Sequence, residues 1–168
     1  MPLTIPPIKR KIERIYLHCS ASDWGEKEEI QRWHLQRGFS DMGYHFLICN
    51  QYPTYSSLKD KKPKESFNGK LQIGKDIEKP GAHVKYDNRN TLGICLVGTN
   101  KFTEKQFEKT QELLKELLQL TNLPIEAILG HYEYWTKRGE EPQKNCPNFD
   151  MEVFRERFRN YLKNLEVG

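Results

Sequence analysis

The run Thr91-Leu-Gly-Ile-Cys-Leu-Val97 carries no charge and does not alternate polar with apolar residues, and no other stretch limits the fold as strongly. A strand with one wet face alternates; an unbroken apolar run marks a central strand buried on both faces, which needs a covering layer on each side. Residues 12–19 read as another strand, in which Ile15, Leu17 and Cys19 alternate with Tyr16 and His18, so His18 points away from Leu17. Residues 44–49 form a third, with Tyr44, Phe46 and Ile48 on one face and His45, Leu47 and Cys49 on the other. Residues 69–74 look like a hairpin arm, and residues 126–130 return as a strand. Between the strands the period changes. Residues 26–37 put Ile30, Trp33, His34 and Arg37 on one side, with Gly38 as a stop. Thr103-x-x-Gln106 is a capping box opening a helix to about residue 120, with Phe107, Thr110, Leu114 and Leu117 on one stripe. Asp150 caps a last helix with Met151, Phe154, Phe158 and Tyr161 inward. Strands alternating with helices predict an α/β fold: a single domain with a mixed central β-sheet and flanking helices. The length of 168 residues suits one domain. Residues 1–10 read as an N-terminal extension and 11–168 as the domain. Residues 51–68 lack periodicity and read as an exposed excursion with solvated lysines.

Composition removes several classes. The first residues lack an apolar segment and a cleavage site, so no signal peptide is expected and synthesis is cytoplasmic. No run approaches the ~20 apolar residues of a membrane span. A net charge of +4, scattered along the chain, predicts no nucleic-acid partner and suits an acidic polymer such as a cell wall. The four cysteines form no CxxC pair. Cys19, Cys49 and Cys95 lie in apolar runs as small hydrophobes, whereas Cys146 lies in a polar loop.

Three residues at separate strand ends could do chemistry. His18 ends the apolar run Ile15-Tyr-Leu-His18, His131 follows Ala127-Ile-Leu-Gly130, and Cys146 precedes the last helix. Two imidazoles and a thiolate suit zinc, and three protein ligands leave a fourth position for water, the arrangement of a catalytic site. Each also has a plainer reading: a hydrogen-bonded rim histidine, or a Cys146–His131 thiol hydrolase with cysteine as nucleophile. Lys144, two residues before Cys146, would lie near the open position, where it could stabilise an oxyanion. Tyr44 offers a phenol that can donate or accept. His34 and His45 read as packed, and His83, in a glycine-containing loop, as the histidine nearest substrate.

Leu17-His-Cys-Ser-Ala-Ser22, Ile30-Gln-Arg-Trp-His34, Asp41-Met-Gly-Tyr-His-Phe46, Gly81-Ala-His-Val84, Asn90-Thr-Leu-Gly-Ile-Cys-Leu-Val-Gly98 and Lys144-Asn-Cys-Pro147 occur in order over most of the chain. Together they resemble the type 2 N-acetylmuramoyl-L-alanine amidases, a superfamily shared by amidase-type phage lysozymes and peptidoglycan-recognition proteins. The resemblance implies zinc held by His18, His131 and Cys146 at the C-terminal rim of the strands. It also implies catalytic roles for Tyr44 and Lys144, and groove positions for His83 and Asn90. The implied reaction is hydrolysis of the amide between N-acetylmuramic acid and L-alanine of peptidoglycan. The expected enzyme is a monomer that reaches the wall after membrane permeabilisation. A wall-binding module of the same fold, without turnover, is the alternative. Two features depart from the pattern. The 51–68 excursion is longer than in close phage relatives, and Tyr86-Asp-Asn stands where Gly-Tyr-Asn is usual. Cysteine as third ligand separates the chain from the cytosolic recycling amidases, which use aspartate there.

Overall fold

The computed structural model describes residues 4–167. All six residues of the apolar run that form β4 (Thr91–Leu96) are buried. On one side β4 pairs with β1 (Arg14–Cys19) and on the other with β2 (Phe46–Ile48), both parallel to it. β5 (Ile128–Gly130) runs parallel to β1 along its outer edge, and β3 (Leu71–Ile73) closes the other edge antiparallel to β2. The order is therefore β3-β2-β4-β1-β5, a mixed sheet with β4 at its centre. Four parallel strands bring their C-terminal ends to one rim, the usual place for a ligand site in open α/β sheets.

The two faces are covered differently. Ile15, Leu17, Phe46, Ile48, Leu92, Ile94 and Leu96 pack against α3 (Glu104–Thr121) and α5 (Met151–Val167), through Leu113, Leu114 and Leu117 of the first and Met151, Phe154 and Phe158 of the second. The other face carries Leu47, Cys49, Cys95 and Val97 against Ile30 of α1 (Lys27–Gln36) and Met42. Tyr16 sits on that face with Val84 and Leu129. Local signals act as the sequence predicts at both later helices. Thr103 accepts from Gln106 N at 3.1 Å while Gln106 Oε1 accepts from Thr103 N at 2.9 Å. Asp150 Oδ1 accepts from Val153 N at 3.1 Å. Gln106 is wholly buried and its amide donates to Ile48 O and Val97 O, tying the start of α3 to the strand ends. No helix among the described residues is long and apolar enough to cross a membrane.

Two expectations change, and the first described residues make contacts of their own. The strand expected over residues 44–49 begins only at Phe46, because the chain bends at His45. Tyr44 consequently leaves the alternation and packs with Leu47 and Cys49, not with Phe46. The stretch 51–68 is also more ordered than its composition suggests. It holds α2 (Tyr55–Lys59), capped by Thr54 and Ser57, and a 3-10 turn at Glu65–Phe67. Its ends are tied by Lys64 N to Gln51 O at 2.7 Å and Gly69 N to Cys49 O at 2.8 Å. Hydrophobic periodicity cannot detect a short polar helix held by side-chain caps. Lastly, Ile5 and Ile8 pack on the core, and the Arg10 guanidinium donates to Ile77 O, Arg89 O and Thr91 O. The described part of residues 1–10 therefore lies along the body; residues 1–3 lie outside the described residues.

Candidate metal centre

His18 stands one residue from the end of β1, on the face opposite Leu17, and His131 directly follows β5. Because Leu17 pairs with Gly130, the parallel register sets the two histidines side by side, and His131 N donates to Leu17 O at 3.1 Å. Their ring centroids are 4.8 Å apart. Cys146 arrives on the loop before α5, whose carbonyl accepts from Tyr132 N at 2.9 Å. The loop can approach only because residue 130 is glycine: a Cβ there would stand 2.6 Å from Met151 and 2.9 Å from Pro147. Cys19 N donates to Cys146 Sγ at 3.1 Å and aims the sulfur at the histidines.

One ligand atom from each of His18, His131 and Cys146 lies within 4.8 Å of the others. A tetrahedral zinc with bonds of about 2.0–2.3 Å needs ligand separations of roughly 3.3–3.6 Å. His18 Nδ1 and Cys146 Sγ, 3.9 Å apart, are close to that value. Nitrogen and sulfur donors are the set zinc prefers. The residues fit the ion.

The electrostatics agree. Burial holds His18 well below its ordinary pKa, since a proton there would be stranded from water and would also sit against His83, His131 and the Lys144 ammonium. Burial, then the charge of Lys144, brings His131 down to about 4. Both imidazoles are therefore neutral near pH 7, with lone pairs free to bind a cation. The hydrogen bond shared with Cys19, then burial, pushes the Cys146 thiol up, and the same bond brings Cys19 down against the opposing effect of its own burial. The Cys19 N–H aimed at Cys146 Sγ acts in the opposite sense on Cys146, and a cation beside His18 Nδ1 would reinforce it.

Around these three stand residues of two kinds. The ring centroid of Tyr44 is 5.0 Å from that of His18, and burial raises its pKa well above the ordinary value. Lys144 is exposed, and its charge acts on both His18 and His131. His83 is buried and sits behind His18, with Nδ1 2.9 Å from His18 Nε2. Asn90 is not brought to the cluster. It precedes Thr91, which pairs with Arg14 at the start of β1, whereas His18 pairs with Cys95. Four residues of strand separate the two levels, roughly 13 Å. Asn90 instead bonds Glu13 at 3.5 Å.

Some contributors were not foreseen. Trp135, in the short helix α4 (Glu133–Thr136), stacks on His131 at 5.2 Å and 17°. Asn88 Oδ1 accepts from His83 N and Val84 N, both at 2.9 Å, and closes the His83 loop. The His131-to-Trp135 spacing of one helical turn could have signalled the first. Nothing local signals the second.

His45 gives a test of burial that does not involve the ligands. It is fully buried; Gly93 N donates to its Nδ1 at 3.1 Å and its Nε2 donates to Lys79 O at 2.7 Å. Burial lowers its pKa to about 4, against the opposing pull of that carbonyl. Between pH 6.5 and 4 the unfolded chain takes up a proton that folded His45 refuses, so stability present above pH 6.5 is lost as the pH falls. His45 alone should remove roughly 3 kcal/mol over that interval. Urea denaturation at pH 7 and pH 4.5 in chelator should show the loss, and a flat profile would contradict it.

A family model described as N-acetylmuramoyl-L-alanine amidase matches residues 8–149. The chain is 29% identical to an endolysin of Klebsiella phage KP32, covering 95% of each. It is 28% identical to the endolysin of Escherichia phage T7, again covering 95% of each. Among solved structures it resembles the N-acetylmuramoyl-L-alanine amidase LysC from Clostridium intestinale URNW, with a TM-score of 0.68 at 20% identity over 94% of this chain and 95% of that one. At that identity the likeness establishes the fold.

Proposed function

The chain belongs to the N-acetylmuramoyl-L-alanine amidase family, and on that premise we propose that it is a zinc-dependent hydrolase of bacterial peptidoglycan. It cuts the amide between the lactyl group of N-acetylmuramic acid and L-alanine of the stem peptide. The convergence of His18, His131 and Cys146 within 4.8 Å carries this reading. The endolysin names of its phage relatives support a role at the cell wall.

An amide carbonyl is a weak electrophile, and a zinc ion held by His18, His131 and Cys146 would supply Lewis acidity toward that carbonyl and toward water. The chain's own residues supply the remainder. Charge developing on the carbonyl oxygen needs a fixed positive group, and the exposed Lys144 ammonium is the one whose field already reaches both histidines. Such a donor is worth about 3 kcal/mol in a transition state. Tyr44, kept protonated by burial, orients water by its phenol and assists proton transfer to the leaving amine.

Digestion of purified peptidoglycan should release new L-alanine N-termini with no new reducing sugar ends. Chelation should stop it and added zinc should restore it. Cleavage that resists chelator but stops on thiol alkylation would replace this reading with the Cys146 nucleophile. Muropeptide binding without new N-termini would replace it with a binding module. Within the zinc reading, Lys144→Met should lower kcat about 100-fold or more. Its melting temperature should hold, because the side chain is exposed. A kcat within a few-fold of the parent would remove Lys144 from the mechanism.

A further inference from the structure

Thr91 is wholly buried, and its hydroxyl has one proton to give. Asp87 O at 2.8 Å and Asn88 O at 3.4 Å are carbonyls that can only accept, so the proton goes to one of them. Thr91 Oγ1 must then accept from His83 Nε2, 3.2 Å away. A neutral imidazole has a single N–H. His83 is buried and neither of its ring nitrogens meets a carboxylate, so it stays neutral, and with Nε2 protonated its Nδ1 is bare. That bare nitrogen lies 2.9 Å from His18 Nε2, which must donate to it. His18 Nδ1 is left with a free lone pair, and Nδ1 is the atom that faces Cys146 Sγ at 3.9 Å. Every link has one donor and one acceptor, and the direction is set by a backbone carbonyl.

We infer that His83 is a positioning residue: with Thr91 and the Asp87 carbonyl it locks His18 in the tautomer that presents Nδ1 to a metal. The inference rests on the reading of the cluster as a metal centre. It gives His83 a place behind the site, since a ring only 7% exposed has little surface to offer a polymer.

A second observation is independent of the hydrogen bonds. Gly93 sits in the middle of the central strand, where glycine weakens a strand and marks close approach of another group. A Cβ at Gly93 would stand 2.7–2.9 Å from Cγ, Cδ2 and Nδ1 of His83. The strand leaves out a side chain where the imidazole lies. Asn88, bonding the His83 and Val84 amides, holds the loop so that the ring stays there.

Metal ligands depend on such outer partners, whose loss typically costs 10–100-fold in affinity. Zinc alone, competed against a chromophoric chelator, should bind His83→Phe 10–100-fold more weakly than the parent protein. Thr91→Val, nearly isosteric, should weaken binding in the same direction by less. In the metal-free parent, nitrogen-15 NMR should find protons on Nε2 of both His18 and His83 and bare Nδ1 atoms. A proton on His18 Nδ1 would overturn the inference with no variant needed. So would zinc affinity unchanged in folded Thr91→Val and His83→Phe proteins. A parent protein that takes up no zinc would sink the metal reading itself, a separate and recognisable result.

Discussion

Replacing Cys146 with serine should remove essentially all amidase activity, by about 1,000-fold or more, and strip zinc from the isolated protein. The exchange removes the only anionic, soft donor of the three, and a neutral hydroxyl is a far weaker partner for zinc than a thiolate. If the ion contributes several kcal/mol to the transition state, losing it costs about a decade per 1.4 kcal/mol. Fold should survive, because Cys146 is only half-buried and serine can still accept from Cys19 N. Cys49→Ala serves as control, since that buried sulfur faces Gln72 and not the imidazoles. Elemental analysis and wall-lysis assays on the two proteins decide the matter. A Cys146→Ser enzyme that keeps its zinc and most of its rate would refute the proposed ligand set.

The largest loss of stability is expected from Glu133→Ala. Glu133 and Arg155 form a buried bidentate pair, with Nη1 to Oε1 at 2.7 Å and Nη2 to Oε2 at 2.8 Å, and side chains only 9% and 4% exposed. The pair also serves the backbone. Glu133 Oε1 accepts from Gly130 N at 3.0 Å, and Arg155 Nη1 donates to Ile128 O at 2.8 Å. It thereby joins α4, α5 and β5 just beneath His131. Removing the carboxylate leaves a buried guanidinium whose remaining carboxylate partner, Glu152, is mostly exposed. A guanidinium keeps its proton in proteins whatever its partners, so it cannot escape by losing its charge. Breaking such a pair costs about 3–5 kcal/mol, a large share of the roughly 5–15 kcal/mol that holds a domain folded. Replacing both residues with leucine should cost less than Glu133→Ala, because no buried charge is then left over. Denaturant titrations of the single and double variants test this; a single change costing under about 1 kcal/mol would show that the pair contributes little.

Arg155 also shows where reading the chain in one dimension stops. It lies among Met151, Phe154 and Phe158, on the buried side of an amphipathic helix, yet a charge there reads as solvated until its partner 22 residues upstream is known. Tyr44 is a similar case. Alternation assigned it to the face of Phe46, and one bend at His45 turned it toward His18.

The elements themselves were legible, because their causes are local. An apolar run without alternation marks β4, Thr103 and Gln106 satisfy each other's backbone three residues apart, and Asp150 caps the turn that follows it. The ordered motifs likewise pointed to His18, His131 and Cys146 as a set. Their distances, the tautomer of His18 and the place of His83 were decided only by tertiary structure. Each depends on parallel register between strands far apart in sequence, on a hydroxyl with one proton to give, and on a missing side chain at Gly93. Short-range sterics and hydrogen bonding act between chain neighbours and leave a pattern in the sequence. The direction of a buried hydrogen-bond chain depends on groups that meet only when the sheet has formed.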